Sequence, residues 1–548
     1  MINEKIIEKV IDKLSFVQLK SEIKEENSVK HFVIETQTKD GLSSLEWKVA
    51  ISPSYPFKID DKEPINFFNT SLKTYPHVMH SGFVCLHTPK VEDAETQFLI
   101  DLSRLKEWID KYYVRKEKDN HYEELVVERK LTDDIYYNFF YTDTSNEFLH
   151  GDYGTVDLVM LVPGCHDGKR MDTFLANTFN SKVHNAQYSC QWEQGMQRQI
   201  KFEGIYCFLD KAPSVYDKFI IELYTDMSSL FSWSQMEFLK MWSQKKNEAK
   251  RVPLFCGYKI PNGETRWQVA MLKANDFPIK SEKTRCGGRS IIYNTFKKTL
   301  IDWATTYNCS YNYFFGRGSL PSKVAEKKIL IIGIGAIGSM VATTLVRCGA
   351  KYLDYYDIDL KEPGNICRSD YDFFSGISDK TYELSSILHY ISPFVQCDIP
   401  SKALDSGIKL SIDNEEIKKT VQEVLSRYDI IFDCSTDDGL MYALDKLNLK
   451  AKVINLSISN HANEIVCAIG SNIARTIKLL FSQIIESDTI DMFYPTGCWS
   501  PTFKASYNDI ATKLQFAMKH IIGMLSASEH ESSFYISETQ DGMTINRL

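Results

Sequence analysis

The segment from Ile329 to Gly338, ILIIGIGAIG, has the residue spacing that indicates chemistry most clearly. Gly333, Gly335 and Gly338 form the pattern G-x-G-x-x-G directly after an apolar run typical of a buried strand and at the start of a helical pattern. Glycines permit a tight turn and a close approach of the backbone to a phosphate, which then lies at the positive end of the helix. The segment therefore predicts a site for a dinucleotide or for ATP.

Acidic, amide and basic side chains after this segment favour ATP chemistry over hydride transfer. Asp357 follows a second strand-like run, where a carboxylate can accept hydrogen bonds from ribose hydroxyls. Cations can neutralise the charge that develops when a carboxylate attacks the α-phosphate, and an acid at a strand end can hold the Mg²⁺ of the leaving pyrophosphate. Taken singly, each charge also fits a solvated surface position. The further candidates are Asp359, Asn365, Arg368, Lys380 and Asp437.

The region from Lys327 to about Asp509 resembles the ThiF, MoeB and ubiquitin-activating adenylation domain, in which the glycines are followed by D-x-D, N-x-x-R, a lysine and D-C-T-D-N. The matching segments are Asp357-Ile-Asp359, Asn365-Ile-Cys-Arg368, Lys380 and Asp433-Cys-Ser-Thr-Asp437. The resemblance implies ATP and Mg²⁺ as cofactors and a homodimer formed through this domain. The implied nucleotide ligands are Asp357 for the ribose, Asn365, Arg368 and Lys380 for the phosphates, and Asp359 beside them.

The chain departs from the family pattern at three places. Ser369 stands where the family has Gln after the arginine. The acidic run has one extra residue, so Asp437 is the predicted Mg²⁺ ligand and Asp438 is the alternative. The zinc-binding cysteines near the C-terminus of the family are missing, which removes a structural element and leaves the adenylation chemistry unaffected. Upstream, Arg317 could reach the phosphates of a neighbouring subunit or could be a solvated arginine.

Cys498 stands between Gly497 and Pro501, ahead of a helix-like run. A thiol on a loop that leads into a helix N-terminus has a favoured thiolate, which is the form that attacks an acyl-adenylate. The pattern G-C-x-x-P-T-F resembles the catalytic cysteine loop of the thioester-forming members of the same family. We therefore predict a nucleophilic Cys498, with a structural thiol as the alternative.

A second candidate cysteine, Cys85, follows the triplet Tyr75-Pro76-His77 in the N-terminal region. A proline turn that places a polar side chain beside a thiol could stabilise the oxyanion formed when an amine attacks a thioester. The local pattern alone favours the alternative of a buried thiol in a short strand. Residues 1–115 resemble the ubiquitin-conjugating fold, with an H-P-N-like triplet followed by G-x-x-C-L. The resemblance implies that Cys85 accepts an acyl group and that His77 replaces Asn or acts as a general base.

Composition indicates the setting in which these residues work. At 548 residues the chain is too long for one hydrophobic core, and its net charge of −8 gives no indication of a nucleic-acid or membrane partner. The N-terminal stretch predicts an amphipathic helix without the apolar core of a signal peptide, so we expect a cytoplasmic protein. The 13 cysteines are scattered without a C-x-x-C pair, which favours reduced thiols over disulfides or a zinc site.

Changes in sequence texture predict a multidomain α/β chain. Residues 1–115 form the α+β ubiquitin-conjugating-like domain, and 116–134 form a charged linker or exposed helix. Residues 135–310 form an α+β middle domain without a chemical motif. Residues 311–548, in which strand and helix patterns alternate, form a doubly wound, Rossmann-like adenylation domain.

A conjugating-like domain followed by an activating-like domain resembles the fused conjugation enzymes of bacterial CBASS antiphage systems, which attach the C-terminus of a cyclic-nucleotide synthase (CD-NTase) to targets. The resemblance implies adenylation of a C-terminal carboxylate of a CD-NTase or ubiquitin-like protein, capture by Cys498, transfer to Cys85 and ligation to an amine. One alternative is an adenylyltransferase for a ubiquitin-like or sulfur-carrier protein, with an inert N-terminal domain. Another is a protein that binds ATP without turnover.

Overall fold

The computed structural model describes residues 2–39, 41–59, 62–86, 88–117, 125–192, 201–245, 250–286, 289–484, 491–494, 502–527, 531–540 and 542–548. These residues form three units in chain order, and each unit has its own hydrophobic core. The predicted mixed α/β, multidomain architecture is confirmed. None of the helices in these ranges has the length and apolar character needed to cross a membrane.

The N-terminal unit is a small antiparallel sheet with a helix before it and a helix after it. Its elements are α1 (Glu4–Asp12), β1 (Val17–Leu19), β2 (Lys24–Glu26), β3 (Val29–Gln37), β4 (Ser44–Ile51), β5 (Ile65–Phe68) and α2 (Ala94–Trp108). The strand order is β1-β3-β4-β5, and β2 pairs with β3. Asn3 caps α1 because its side-chain oxygen accepts the amide of Ile6 at 2.9 Å.

Side-chain alternation determines which face of this sheet is buried. Every second residue of β4 faces the core, where it packs against α2. A π-helical turn (Ile109–Val114) continues α2, and the loop between β5 and α2 carries His77 and Cys85. The order of helix, sheet, cysteine-bearing loop and helix is the predicted one. The assignment of this unit to the ubiquitin-conjugating fold stays a prediction.

The middle unit consists mainly of strands. Its elements are β6 (Ile135–Tyr141), β7 (Tyr153–Met160), β8 (Gly164–His166), β9 (Lys169–Ser181), β10 (Gln187–Ser189), β11 (Lys201–Phe208), β12 (Ser214–Val215), β13 (Phe219–Ile220), α3 (Tyr224–Met227), α4 (Trp233–Ser243), β14 (Arg251–Lys259), β15 (Thr265–Lys273), β16 (Ile279–Cys286), β17 (Arg289–Phe296) and β18 (Trp303–Asn308). In the described parts of 116–134, before β6, the chain forms neither a helix nor a named strand.

Seven strands of the middle unit close into a ring. Their order is β9-β6-β18-β15-β14-β11-β7, and β7 pairs back onto β9 from Gly154 opposite Ser181 to Met160 opposite Phe174. One hydrophobic cluster takes residues from all seven strands and therefore fills the interior of the ring. The unit predicted as α+β is thus a closed barrel, with α4 packed on its outside.

The C-terminal unit alternates strands and helices. Its elements are α5 (Tyr311–Phe314), α6 (Ser322–Ala325), β19 (Lys328–Ile332), α7 (Ala336–Arg347), β20 (Tyr352–Tyr356), β21 (Leu360–Lys361), α8 (Pro363–Ile366), β22 (Ser378–Asp379), α9 (Lys380–Ile391), α10 (Leu404–Leu410), α11 (Glu415–Leu425), β23 (Ile430–Asp433), α12 (Asp438–Lys446), β24 (Lys452–Ile458), β25 (Glu464–Ile469), α13 (Ile473–Phe481), α14 (Tyr507–Ala527), β26 (Phe534–Thr539) and β27 (Gly542–Arg547).

Its sheet is parallel in one half and antiparallel in the other. The order is β20-β19-β23-β24-β25-β26-β27, in which the first four strands are parallel. Successive residues of β19 point to opposite faces, so Ile329 and Ile331 pack with α7, α9 and α14, whereas Leu330 and Ile332 pack with the helices α10 to α13. The doubly wound fold predicted for this unit is confirmed.

The direction of winding reverses between β19 and β23. After β19 the chain forms β20, which is the neighbour of β19 on one side in the sheet. It later forms β23, which is the neighbour of β19 on the other side. In open α/β sheets, ligands bind beyond the carboxyl ends of the strands at such a reversal. The glycine segment follows β19 and the acidic run follows β23, so the fold places both of them at the edge of this crevice.

Candidate functional site

The glycine segment forms a tight turn between β19 and α7. Gly333 has a φ of +80°, and its amide donates to the carbonyl of Tyr356, at the end of β20, over 2.8 Å. A Cβ atom on Gly333 would lie 2.5 Å from the Cα of Ser435, in the loop that follows β23. Because only glycine permits this approach, it brings the ends of two adjacent strands into contact.

The other two glycines serve different purposes. Gly335 is the N-cap of α7, and a Cβ atom there would meet nothing within 4 Å. A side chain at this position would extend into open space at the positive end of the helix, where a phosphate would bind. A Cβ atom on Gly338 would lie 2.0 Å from the carbonyl oxygen of Gly333, so Gly338 allows α7 to pack directly on the turn.

Three of the predicted nucleotide ligands meet at the carboxyl end of β20. The Oδ2 atom of Asp357 accepts the amide of Ile334 at 2.9 Å, and its Oδ1 atom accepts the amide of Asp359 at 2.8 Å. The ammonium group of Lys380 lies 2.9 Å from Asp359 Oδ2 and 3.7 Å from Asp357 Oδ2. Asp357 therefore ties the glycine turn to the next strand, while each oxygen keeps acceptor capacity for a ligand. Its ribose contact stays a prediction.

Asn365 and Arg368, predicted to contact phosphates, bind protein groups. Asn365 Oδ1 accepts the amide of Glu362 at 2.8 Å at the start of α8. The Nη1 atom of Arg368 donates to Thr502 Oγ1 at 2.7 Å and to the carbonyl of Phe503 at 3.2 Å. Its guanidinium group lies 4.8 Å from the centre of the Phe503 ring. Arg368 is thus held by the segment that follows residues 495–501, and the phosphate contacts of both residues stay predictions.

The acidic run that begins at the last residue of β23 contains a buried carboxylate, Asp433, and a half-buried one, Asp437. Asp433 accepts hydrogen bonds from the Ser435 amide and hydroxyl and, at 2.9 Å, from Asn455 Nδ2, and burial raises its pKa. These bonds fix the loop that carries Asp437. Asp437 caps α12 by accepting the amide of Leu440 at 3.0 Å.

Lys409 is a functional candidate that the sequence pattern missed. Its ammonium group lies 2.6 Å from Asp437 Oδ2 and 3.1 Å from Asp405 Oδ2, and the hydrogen bond from Lys409 holds the pKa of Asp437 below its usual value. The spacing of Asp405 and Lys409 on α10 is typical of a surface ion pair and gives no signal of a site. Only the packing of α10 beside α12 brings this cation to the acidic run.

Of the two candidate Mg²⁺ ligands, Asp437 is half-buried at the N-cap of α12, whereas Asp438 is exposed in the first turn of that helix. Among the residues that the structure describes, no group of three or more His, Cys, Asp or Glu side chains is arranged to hold a metal ion. A single carboxylate fits Mg²⁺, since this ion is commonly bound by one or two carboxylates together with nucleotide phosphates and water. The metal role of Asp437 stays a prediction.

Cys85 and His77 lie together in the N-terminal unit. The Cys85 amide donates to the His77 carbonyl over 2.8 Å, and Val78 pairs with Val84 in an isolated bridge between them. His77 has a φ of +60°, and its Nε2 atom lies 3.0 Å from the Tyr112 hydroxyl on the π-helical turn. Cys85 is half-buried. The structure therefore joins the two residues through their backbones and reveals Tyr112 as a neighbour that the sequence did not indicate.

The predicted nucleophile Cys498 lies outside the described residues. The chain resumes at Thr502, whose hydroxyl accepts from Arg368, and continues into α14. The predicted roles of Cys498, Cys85 and His77 stay predictions.

Residues 311–453 match the ThiF family. The C-terminal unit therefore contains a ThiF-family domain, as its glycine turn and acidic run indicate. The matched residues include the glycine segment, the Asp357–Lys380 cluster and the acidic run around Asp437. The resemblance to ThiF and ubiquitin-activating proteins that the sequence predicted is confirmed.

Among particular proteins, the chain is similar to "ATP-dependent ubiquitin transferase-like protein Cap2" of Enterobacter hormaechei subsp. hoffmannii, with 28% identity over 235 residues, 41% of this chain and 38% of that protein. It is 31% identical over 77 residues to "Ubiquitin-like modifier-activating enzyme 5" of Caenorhabditis elegans, covering 14% of this chain and 18% of that enzyme. These matches span less than two fifths of either relative. A structure of E. coli MccB with ATP aligns with 41% of this chain and 64% of its own, at 15% identity and a TM-score of 0.29.

Substitutions of Gly335 and Gly338 should separate ligand binding from folding. Gly335→Val should abolish ATP binding with little change in melting temperature, because its side chain would enter the open space at the start of α7. Gly338→Ala should destabilise the domain by roughly 1–3 kcal/mol, as overpacked sites do, because its Cβ would collide with backbone. Isothermal calorimetry with ATP and thermal melting measure the two effects. Wild-type ATP affinity in Gly335→Val would contradict the assignment of the phosphate site.

Proposed function

We propose that this chain is an ATP-dependent transferase that activates a protein's C-terminal carboxylate and ligates it to an amine. The observation that carries the proposal is the cleft at the ends of β20, β19 and β23, where the Lys380 cluster, the glycine turn and Asp437 lie side by side. The names of two relatives, a ubiquitin transferase-like protein and a ubiquitin-like modifier-activating enzyme, support this activity.

The first step is adenylation, which needs positioning and charge stabilisation more than proton transfer. A carboxylate oxygen of the substrate bonds to the α-phosphorus of ATP, and the bond from that phosphorus to pyrophosphate breaks. Lys380, Arg368 and the N-terminus of α7 supply positive charge to the phosphates. Asp437 would hold the Mg²⁺ that accompanies the nucleotide, Asp357 contacts the ribose, and Asp359 lies beside Lys380.

The next steps are acyl transfers between sulfur atoms. The Cys498 thiolate attacks the acyl carbonyl and AMP leaves with the electron pair of the broken C–O bond. The Cys85 thiolate then displaces Cys498 from the thioester, and finally an amine displaces Cys85 and loses a proton. His77 stabilises the oxyanion of this last step or assists the attacking amine.

The carboxylate donor is a CD-NTase or a ubiquitin-like protein, and the chain works as a homodimer through its ThiF domain. This part of the proposal rests on the resemblance of the sequence to the fused CBASS enzymes and to the ThiF and ubiquitin-activating family. The two other readings, a carrier-protein adenylyltransferase with an inert N-terminal unit and an ATP-binding protein without turnover, give different outcomes in the experiments below.

Asp437→Asn should lower ATP–pyrophosphate exchange by ~10²-fold or more, as loss of one charge-stabilising contact does. Asparagine retains the cap of α12, so the helix should be preserved. Asp438→Asn is the matched control and should show the wild-type rate of ATP–pyrophosphate exchange. Arg368→Ala should lower this rate as much as Asp437→Asn does. The assay measures how much labelled pyrophosphate is incorporated into ATP in the presence of the substrate protein. If exchange falls in Asp438→Asn and not in Asp437→Asn, the Mg²⁺ ligand is Asp438. If the wild-type chain shows no exchange, the protein binds ATP without turnover.

Cys498→Ala should retain pyrophosphate exchange and form no thioester, because this thiol acts only after the adenylate exists. Gels with and without reductant, run after incubation with ATP, Mg²⁺ and the substrate protein, show the thioester. Cys348→Ala is the matched control, because Cys348 is the C-cap of α7 and we expect it to be structural. This variant should form the thioester as the wild type does. Normal charging of Cys85 in the Cys498→Ala variant would show that the adenylate is used directly.

Cys85→Ala should stop the reaction at a reducible thioester on Cys498, with no amide product. Cys85→Ser should instead accumulate an adduct at residue 85 that resists thiols and is cleaved by alkali, because an oxyester transfers its acyl group more slowly. His77→Ala should permit charging of Cys85 and slow its discharge to amines. The same gels report all three variants. Full amide yield from Cys85→Ala would leave the carrier adenylyltransferase as the better account.

A further inference from the structure

A short hairpin of the middle unit contacts the loop that carries His77. The hairpin consists of β12 and β13, and Lys218 precedes β13. The ammonium group of Lys218 donates to the carbonyl of Tyr75 over 2.7 Å and to the carbonyl of Val78 over 2.8 Å. The next hairpin residue, Phe219, makes an edge contact with His80, with ring centres 5.3 Å apart. Two chemically different contacts thus join the middle unit to one loop of the N-terminal unit.

The two carbonyls that Lys218 binds belong to residues on either side of His77. His77 has a φ of +60°, a left-handed conformation that costs a non-glycine residue free energy and needs support from its surroundings. A half-buried ammonium group that bridges both carbonyls supplies this support through charge-assisted hydrogen bonds. On the other side of the loop, Trp108 Nε1 donates to the carbonyl of Pro76 over 3.0 Å.

The conformation of this turn also determines the position of Cys85. The carbonyl of His77 accepts the Cys85 amide at 2.8 Å, so rotation of the turn would remove the acceptor of that amide. The His77 ring lies against Tyr112, with 5.1 Å between ring centres, and depends on the same backbone. Because Lys218 binds the backbone of this turn, it affects the positions of both His77 and Cys85.

We propose that Lys218 is a positioning residue for acyl transfer at Cys85, and that the middle unit holds the His77 turn in its active conformation through the hairpin. This inference rests on the proposed function of Cys85. The inference assigns a role at the Cys85 site to the middle unit, in which the sequence shows no chemical motif. Lys218 touches the turn through backbone carbonyls, so its effect on the reaction is exerted through His77 and Cys85.

The first test uses hydrogen–deuterium exchange of the full-length chain and requires no substrate. Lys218→Ala should speed amide exchange in the peptide that covers residues 75–86, because the turn loses the cation that bridges its carbonyls. Lys211→Ala, at an exposed lysine of the same unit, is the matched control and should exchange as the wild type does. Unchanged exchange in Lys218→Ala would overturn the proposal.

The second test measures transfer at Cys85 without the ThiF domain's reaction. A synthetic peptide thioester loads Cys85 by thiol exchange, peptide mapping confirms the site, and free lysine then discharges it. Lys218→Ala should discharge about tenfold more slowly or worse, since a misplacement of about 1 Å can cost ~10²-fold. Lys218→Arg, which keeps the charge and the donors, should restore most of the rate, and Lys211→Ala should match the wild type.

The outcomes separate the inference from the function beneath it. Faster amide exchange with an unchanged discharge rate in Lys218→Ala would overturn Lys218 as a positioning residue and leave the proposed function intact. A wild-type chain whose loaded Cys85 does not discharge would overturn the proposed function and with it the catalytic part of this inference. If Lys218→Ala fails to fold, Lys218→Met, which keeps an unbranched apolar side chain and has no N–H donor or charge, replaces it, and a wild-type result for that variant in both measurements counts against the proposal.

Discussion

The contact between Gly333 and Ser435 is the constraint on which the predicted nucleotide cleft depends. It joins the loop after β19 to the loop after β23, and a Cβ atom would have to fit within 2.5 Å of backbone to replace the glycine. The contact brings the loop that carries Asp437 against the turn that precedes α7, although the two are far apart in the sequence.

Around this contact, oppositely charged side chains form ion pairs in which at least one partner is exposed to solvent. Lys409 meets Asp437, whose carboxylate is more than one third exposed, and Lys380 meets Asp359, which is more exposed still. Ion pairs that reach solvent contribute about 0–1 kcal/mol, so the Lys409–Asp437 pair holds its two side chains only weakly. Arg368 is held by Thr502 and Phe503, which links the predicted phosphate contacts to the segment that leads into α14.

The N-terminal site is organised by backbone hydrogen bonds. One amide–carbonyl hydrogen bond joins His77 to Cys85. Three side chains bind the His77 turn or ring: Trp108, Tyr112 and Lys218. Lys218 belongs to a different structural unit. Aromatic side chains fill the interior of the middle unit's barrel, and the hairpin that carries Lys218 follows β11 of that barrel.

The sequence by itself determined the parts of the protein that depend on local pattern. The spacing of Gly333, Gly335 and Gly338 after an apolar run predicts the strand, the turn and the start of α7, because these follow from steric limits on neighbouring residues. Alternating strand and helix patterns predict the doubly wound sheet. Tertiary structure alone decided that Lys409 reaches Asp437, that Lys218 reaches the His77 turn, and that the middle unit closes into a barrel. Each of these brings together residues far apart in the chain, and a contact between distant segments leaves no periodicity in either segment from which it could be read.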